Sequence, residues 1–156
     1  MGKVKNLTLS NVTVTSTHYA GAVVGYTSAN NDCIIENCHV KGGTITSTPE
    51  LIGGEYDNGD KVGGIIGYIV GGVTVTSCSV EDVTITAYRD LGGIVGCATG
   101  TAVEGVTNNT VKNSHIVQDN TNGYKTSVNT YGEIVGRHDN DVPISNTATD
   151  VILSSK

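Results

Sequence analysis

Three short stretches hold the side chains best suited to grip a ligand. Glu55, Tyr56, Asp57 and Asp60 stand close together, Tyr88, Arg89 and Asp90 are consecutive, and Asp119, Asn122 and Tyr124 form a third group. A tyrosine ring beside carboxylates and amides suits a sugar, because the ring packs on C–H faces while the polar groups bond hydroxyls. Asp57, Asn58 and Asp60 also supply hard oxygen ligands of the kind calcium takes. Their run follows neither an EF-hand nor a glycine-aspartate nonapeptide pattern, so calcium is the lesser expectation. Catalysis finds little support. No paired carboxylates recur at a spacing suited to glycoside hydrolysis. His18, His39, His115 and His138 fall at four different positions of the repeat that runs through the chain, so no nucleophile–base pair follows from them. The chain is expected to be non-catalytic and to need no cofactor.

The elements that must position these groups are marked by a glycine stretch that occurs four times. Ala20-Gly-Ala-Val-Val-Gly25, Val62-Gly-Gly-Ile-Ile-Gly67, Leu91-Gly-Gly-Ile-Val-Gly96 and Tyr131-Gly-Glu-Ile-Val-Gly136 each follow a Thr-rich, β-branched segment. Aligning the longer repeats gives coils that begin near Val4, Ile35, Val75, Val106 and Ile144. A fixed period with length changes confined to particular places is the signature of a solenoid. One repeat cannot bury its apolar face alone, so the repeats must stack. Alternations such as Val73-Thr-Val-Thr76 and Thr84-Ile-Thr-Ala87 read as strand. Helical periodicity is absent. The chain is therefore expected to be all-β, a right-handed parallel β-helix of about four coils plus a partial fifth, forming one domain over residues 1–156.

Composition agrees. The 156 residues include 21 Gly but no Trp and no Phe, so the core must be built from thin layers of Val, Ile and Ala. The net charge is -6, and the scattered Lys and Arg form no basic stripe, which argues against nucleic acid and anionic membranes as partners. No apolar run approaches the ~18 residues of a membrane span. Met1-Gly-Lys3 leads almost directly into strand-like sequence, so the chain is expected to be a piece of a longer exported protein.

Val62-Gly-Gly-Ile-Ile-Gly-Tyr68 followed by Val73-Thr-Val-Thr-Ser-Cys78 resembles the GLUG-motif repeats of secreted bacterial proteins. The resemblance implies a repetitive, multidomain, extracellular or cell-surface protein, and it carries no catalytic residues to transfer. Adhesion or glycan binding is the expected role. A purely structural stalk and a fragment of a carbohydrate-active β-helix enzyme are the alternatives.

Spacing places the candidate ligand groups at one corner. Coils one and three run directly from the Thr-x-Thr segment to the glycine stretch, whereas coils two and four carry insertions there, Ser47 to Lys61 and Val117 to Thr130. The two insertions should wall a groove floored by Tyr88, Arg89 and Asp90. Thr13/Thr15, Thr44/Thr46 and Thr84/Thr86 should stack on an outer face above Val14, Ile45 and Ile85. Such threonine faces occur on ice-binding solenoids, but this one breaks at His115.

Cys38 and Cys78 share the repeat position where the first copy has Leu7, which predicts buried small hydrophobes, with a disulfide as the alternative. Neither they nor Cys33 and Cys97 have zinc-ligand spacing. The glycine stretch itself poses a parity problem. In a plain strand, either Ile94 or Val95 would face outward together with its equivalents. The resolution is a bulge that buries both or an exposed stripe that meets a partner. Glu133, in place of Ala22, Gly64 and Gly93, points to that position facing outward. Apolar ends at Val4 and at Val151-Ile-Leu153 lead to the expectation of flanking domains or self-association.

Overall fold

The computed structural model describes residues 2–28, 32–52, 55–57, 59–121, 130–143 and 145–156, with the backbone alone for 51–52 and 55–57. Apart from a 3-10 turn at Gly100–Gly105, its regular structure is strand. Four ladders of parallel strands form, each drawing one segment from successive repeats. This is the arrangement of a parallel β-helix. The first sheet joins Gly2–Lys5, Cys33–Glu36, Val73–Thr76 and Val106–Thr107. Its register aligns Val4, Ile35, Val75 and Val106, as the repeat spacing predicts.

The second sheet is the widest. It stacks Thr8–Ser16, His39–Ser47 and Ser79–Ala87, continued by Thr110–Lys112 with His115–Gln118 and then by Thr147–Thr149 with Ile152–Ser155. Val40, Val80 and Val111 form one inward column and Ile45, Ile85 and Ile116 another, all fully buried. The threonine pairs lie in register on the opposite face. These sheets bend where short polar residues take the left-handed conformation. Asn6, Asn37, Ser77 and Asn108 turn the chain from the first sheet into the second, and Asn11, Gly42, Asp82, Asn113 and Asp150 bend the second sheet midway. Asn, Asp and Gly enter that region at the least cost, which is why they punctuate the β-branched runs.

The glycine stretches make the joint between the third and fourth sheets. The third aligns Ala20–Gly21, Asp60–Gly63, Arg89–Gly92 and Tyr131–Gly132, and the fourth aligns Val24–Tyr26, Ile66–Val70, Val95–Thr99 and Val135–His138. Here two successive amides share one carbonyl. Ile65 N and Ile66 N both donate to Ile94 O at 3.0 Å, and Val23 N and Val24 N both donate to Ile65 O at 3.1 Å. Ile94 N and Val95 N do the same to Ile134 O. Two residues opposite one is a bulge, and it answers the parity problem. Ile65, Ile66, Ile94 and Val95 are all fully buried. No aliphatic stripe is exposed in these two repeats.

The same joint explains the glycines. A Cβ on Gly63 would lie 2.2 Å from Ile66 O and 2.6 Å from Ile94 O, and one on Gly96 would lie 2.4 Å from Val62 N. The third and fourth sheets therefore touch backbone to backbone, with no side chain between them at these positions. Gly64 and Gly93 face the second sheet, where an added Cβ would come within 2.6 Å and 2.7 Å of Val80 and Val111 methyls. The outward placement expected from Glu133 holds for that residue, which is exposed, and not for its equivalents.

The four thiols are free. Cys38 and Cys78 stack in the buried column expected of them, and the column extends further than the repeat alignment showed. The second-sheet register aligns Leu7, Cys38, Cys78, Asn109 and Asn146. Each donor reaches back to the equivalent carbonyl of the repeat before it. Cys38 Sγ donates to Val4 O at 3.7 Å, Cys78 Sγ to Ile35 O at 3.8 Å, Asn109 Nδ2 to Val75 O at 2.9 Å and Asn146 Nδ2 to Val106 O at 2.7 Å.

Candidate functional site

Beside the glycine joint, residues from three successive repeats converge on one carboxylate. Asp60 is 1% exposed. Its Oδ2 accepts hydrogen bonds from Arg89 Nη2 at 3.0 Å and Nε at 3.3 Å, and from the ammonium of Lys61. Its Oδ1 lies 3.1 Å from His18 Nδ1. In an extended strand the neighbours Asp60 and Lys61 would point to opposite faces. Lys61 instead sits at φ 54°, and this left-handed kink brings both side chains to the same side. Register sets Arg89 directly beside Asp60.

Lys61 leads from the carboxylate to a cluster of three tyrosines. Its Nζ lies 5.2 Å from the Tyr19 ring centre and 5.5 Å from that of Tyr68, within cation–π range. Tyr26 and Tyr68 are register partners in the fourth sheet with ring centres 5.5 Å apart, and Tyr19 is 5.4 Å from Tyr26 and 5.3 Å from Tyr68. Partial burial raises the Tyr19 hydroxyl pKa, Lys61 working against the shift and Asp60 with it. Tyr26 stays 48% exposed, the largest open aromatic surface among the described residues.

The fourth-sheet register continues this column from Tyr26 and Tyr68 to Cys97 and Arg137. Cys97 is buried, which pushes its thiol up to about 12, with the Asp90 carboxylate adding to the effect. Asp90, in the left-handed conformation like Lys61, is also 1% exposed. Arg137 Nη1 lies 3.9 Å from its Oδ2, and its amide donates to Thr130 Oγ1 at 2.9 Å. Charged heads thus stand over buried carboxylates along one edge of the molecule.

Of the groove residues read from the sequence, the structure brings Asp60 and Arg89 together. Tyr88 is buried and presents no ring face to a ligand, so it does not serve as a floor. The buried side chain of Gln118 donates to its carbonyl. Asp119 belongs to a separate group, 3.1 Å from Lys156 Nζ and bonded to Thr121. Burial works to raise its carboxyl, but the Thr121 hydroxyl and amide and then Lys156 hold it below the ordinary value. Glu55, Tyr56 and Asp57 form one arm of an antiparallel hairpin with Glu50–Ile52, and their side chains lie outside the described residues. Asn58, Asn122 and Tyr124 lie outside them altogether. At the foot of this hairpin Gly59 N donates to Thr17 O and Gly59 O accepts from Tyr88 N, which seats the hairpin next to Asp60. Among the described residues no group of three His, Cys, Asp or Glu is placed to hold a metal ion.

The tyrosine cluster was not legible as a site in the sequence. Tyr26 and Tyr68 stand at equivalent repeat positions, which was a usable signal, but Tyr19 and Lys61 join them only through the backbone contact between the third and fourth sheets. The side chain of His18 is 40% exposed, with its Nδ1 3.1 Å from Asp60 Oδ1.

Comparison with known proteins adds a family motif. The family model described as the GLUG motif matches residues 16–46, from the end of the first threonine strand to the second. That span contains Tyr19 and Tyr26. No curated protein and no solved structure gives a significant match to the chain.

Proposed function

We propose that this GLUG-motif repeat chain is a non-catalytic solenoid module of a secreted or cell-surface bacterial protein, and that it binds glycans. In this reading the winding is right-handed, about four coils and a partial fifth are present, and the insertions of the second and fourth coils project from one corner. The module needs no cofactor and is joined to flanking domains or to further copies of itself. The observation that carries the binding reading is the open face of Tyr26, stacked in the Tyr19–Tyr26–Tyr68 cluster beside the donors of Lys61, Arg89 and His18. A ring face for C–H packing next to fixed polar groups is what sugar recognition requires.

A glycan array followed by calorimetry on the hits tests this. Tyr26→Ala is expected to weaken binding at least about tenfold, as loss of an aromatic anchor does. Because Tyr26 is half-exposed and loses only its stacking on Tyr19 and Tyr68, the thermal midpoint should fall by only a few degrees. Binding that is indifferent to this substitution would remove the cluster from the site. A structural spacer is the second reading, and one observation favours it: Asp60, the centre of the cluster, spends its Oδ2 on Arg89 and Lys61 inside the molecule. Failure of every glycan to bind would leave the spacer reading standing.

A further inference from the structure

We infer that the glycan taken by this edge is an anionic one, a polysaccharide carrying uronate or sulfate groups. The inference rests on the glycan-binding reading and narrows it. Its ground is the way charge is layered. Both carboxylates of the edge are 1% exposed: Asp60 anchors Arg89 and Lys61 by hydrogen bonds, and Asp90 lies behind Arg137, whose Nη1 is 3.9 Å from its Oδ2. The side chains of Arg89 and Arg137 are 38% and 50% exposed, and that of His18 is 40% exposed. A chain of net charge -6 therefore turns guanidinium and imidazole groups outward over Asp60 and Asp90 on this edge. A neutral sugar would need hydrogen-bond acceptors as well as donors at the surface. An edge of exposed donors backed by buried anions suits a ligand that brings its own negative charge, and guanidinium groups meet carboxylate and sulfate oxygens in paired geometry.

The arrangement also has length. Tyr26, Tyr68, Cys97 and Arg137 occupy four consecutive strands of one ladder. Three strand spacings put Arg137 about 14 Å from the Tyr26 end. A short oligosaccharide lying along the solenoid axis can rest a ring on Tyr26 and present an acidic group to Arg137. Arg89 and Lys61, both held by Asp60, lie between these ends.

Calorimetry with the whole chain distinguishes the outcomes. The probes are an oligogalacturonate, a neutral galacto-oligosaccharide of the same length, a heparin oligosaccharide and single-stranded DNA. The acidic sugars are expected to bind at least about tenfold more tightly than the neutral one, with affinity falling as salt is raised. Arg137→Gln should weaken them about tenfold and leave any neutral-sugar affinity unchanged, and Tyr26→Ala should weaken all sugars. The ratio of uronate to heparin binding identifies the acidic group. Neutral and acidic sugars binding alike, with Arg137→Gln silent, overturns the anionic assignment and leaves glycan binding intact. Equal binding of DNA, insensitive to Tyr26→Ala, reduces the edge to general polyanion attraction and overturns it too. Binding of no sugar at all refutes the glycan reading on which it rests.

Discussion

Replacing Gly63 by alanine puts the backbone contact between the third and fourth sheets to a direct test. The added methyl would meet Ile66 O at 2.2 Å, Ile94 O at 2.6 Å and Gly96 N at 2.7 Å. All three are main-chain atoms, and they come from two repeats, so no side chain can rotate away to make room. Carbon and oxygen need more than 3 Å, which means the sheets must part by about 1 Å at this point. Parting them stretches the shared hydrogen bonds that Ile65 N and Ile66 N give to Ile94 O, both 3.0 Å. Overpacking costs about 1–3 kcal/mol where side chains can yield. Two strained hydrogen bonds add about 1 kcal/mol each. Against this stands a gain of about 0.5–1 kcal/mol from the smaller entropy of the unfolded alanine chain. The net expectation is a loss of about 2–4 kcal/mol, a large part of the 5–15 kcal/mol that holds a domain folded. Gly2→Ala is the control, since its methyl would meet only Cys33 Sγ, at an ordinary 3.6 Å. It should change stability by less than about 0.5 kcal/mol. Urea unfolding followed by far-UV circular dichroism measures both; with seven Tyr and no Trp, tyrosine emission supplies a second probe. A Gly63→Ala protein within about 1 kcal/mol of the parent would refute the backbone-to-backbone joint.

The polar column gives a second prediction. Asn109→Ala removes the two bonds of 2.9 Å that the Asn109 amide makes with Cys78 N and Val75 O, and should cost about 2–4 kcal/mol in urea unfolding. Asn109→Cys should recover part of that loss by making the carbonyl bond that Cys78 makes one repeat earlier, and equal losses in the two variants would contradict the shared role. A third prediction concerns alkaline pH. Burial pushes Cys78 up to about 11 and Cys97 up to about 12, so the folded chain keeps thiol protons that the unfolded chain releases near pH 9. This contribution to stability is whole below pH 9 and is lost as pH rises toward 11–12. Thermal midpoints should fall over that window, and less steeply in Cys97→Ala; an unchanged slope in that variant would show that Cys97 does not report on it.

Much of the fold was readable because a solenoid writes its geometry as a period. Val4, Ile35, Val75 and Val106 could be aligned by spacing, and the ladder pairs them. The Asn and Asp separators were readable as breaks in the β-branched runs, though not as left-handed corners. The Ile-Val pair of the glycine stretch was legible only as a contradiction. A bulge depends on which carbonyl two amides share, and no side-chain alternation records that choice. The site was harder for a related reason. Asp60 and Arg89 were placed at one corner by counting residues, and they do meet. Tyr88 was assigned an exposed face because it sits between two charged loops, whereas the structure buries it. Tyr19, Lys61 and Tyr68 come together through contact between two different sheets, which spacing within one repeat does not encode.

The glycine joint has a further consequence for how such a chain can vary. Elsewhere in the molecule a layer of side chains separates the sheets, and layers of that kind can be repacked, thickened or sheared by substitution. At the joint there is no such layer to adjust. Length changes between repeats fall before and after it, never between Val62 and Tyr68 or their equivalents. The edge therefore acts as a ruler. Columns of side chains displayed beside it stay one strand spacing apart, about 4.8 Å, whatever residues fill them. New specificities can be written by exchanging Tyr, Cys or Arg along that edge, while the interval at which a ligand meets them stays fixed.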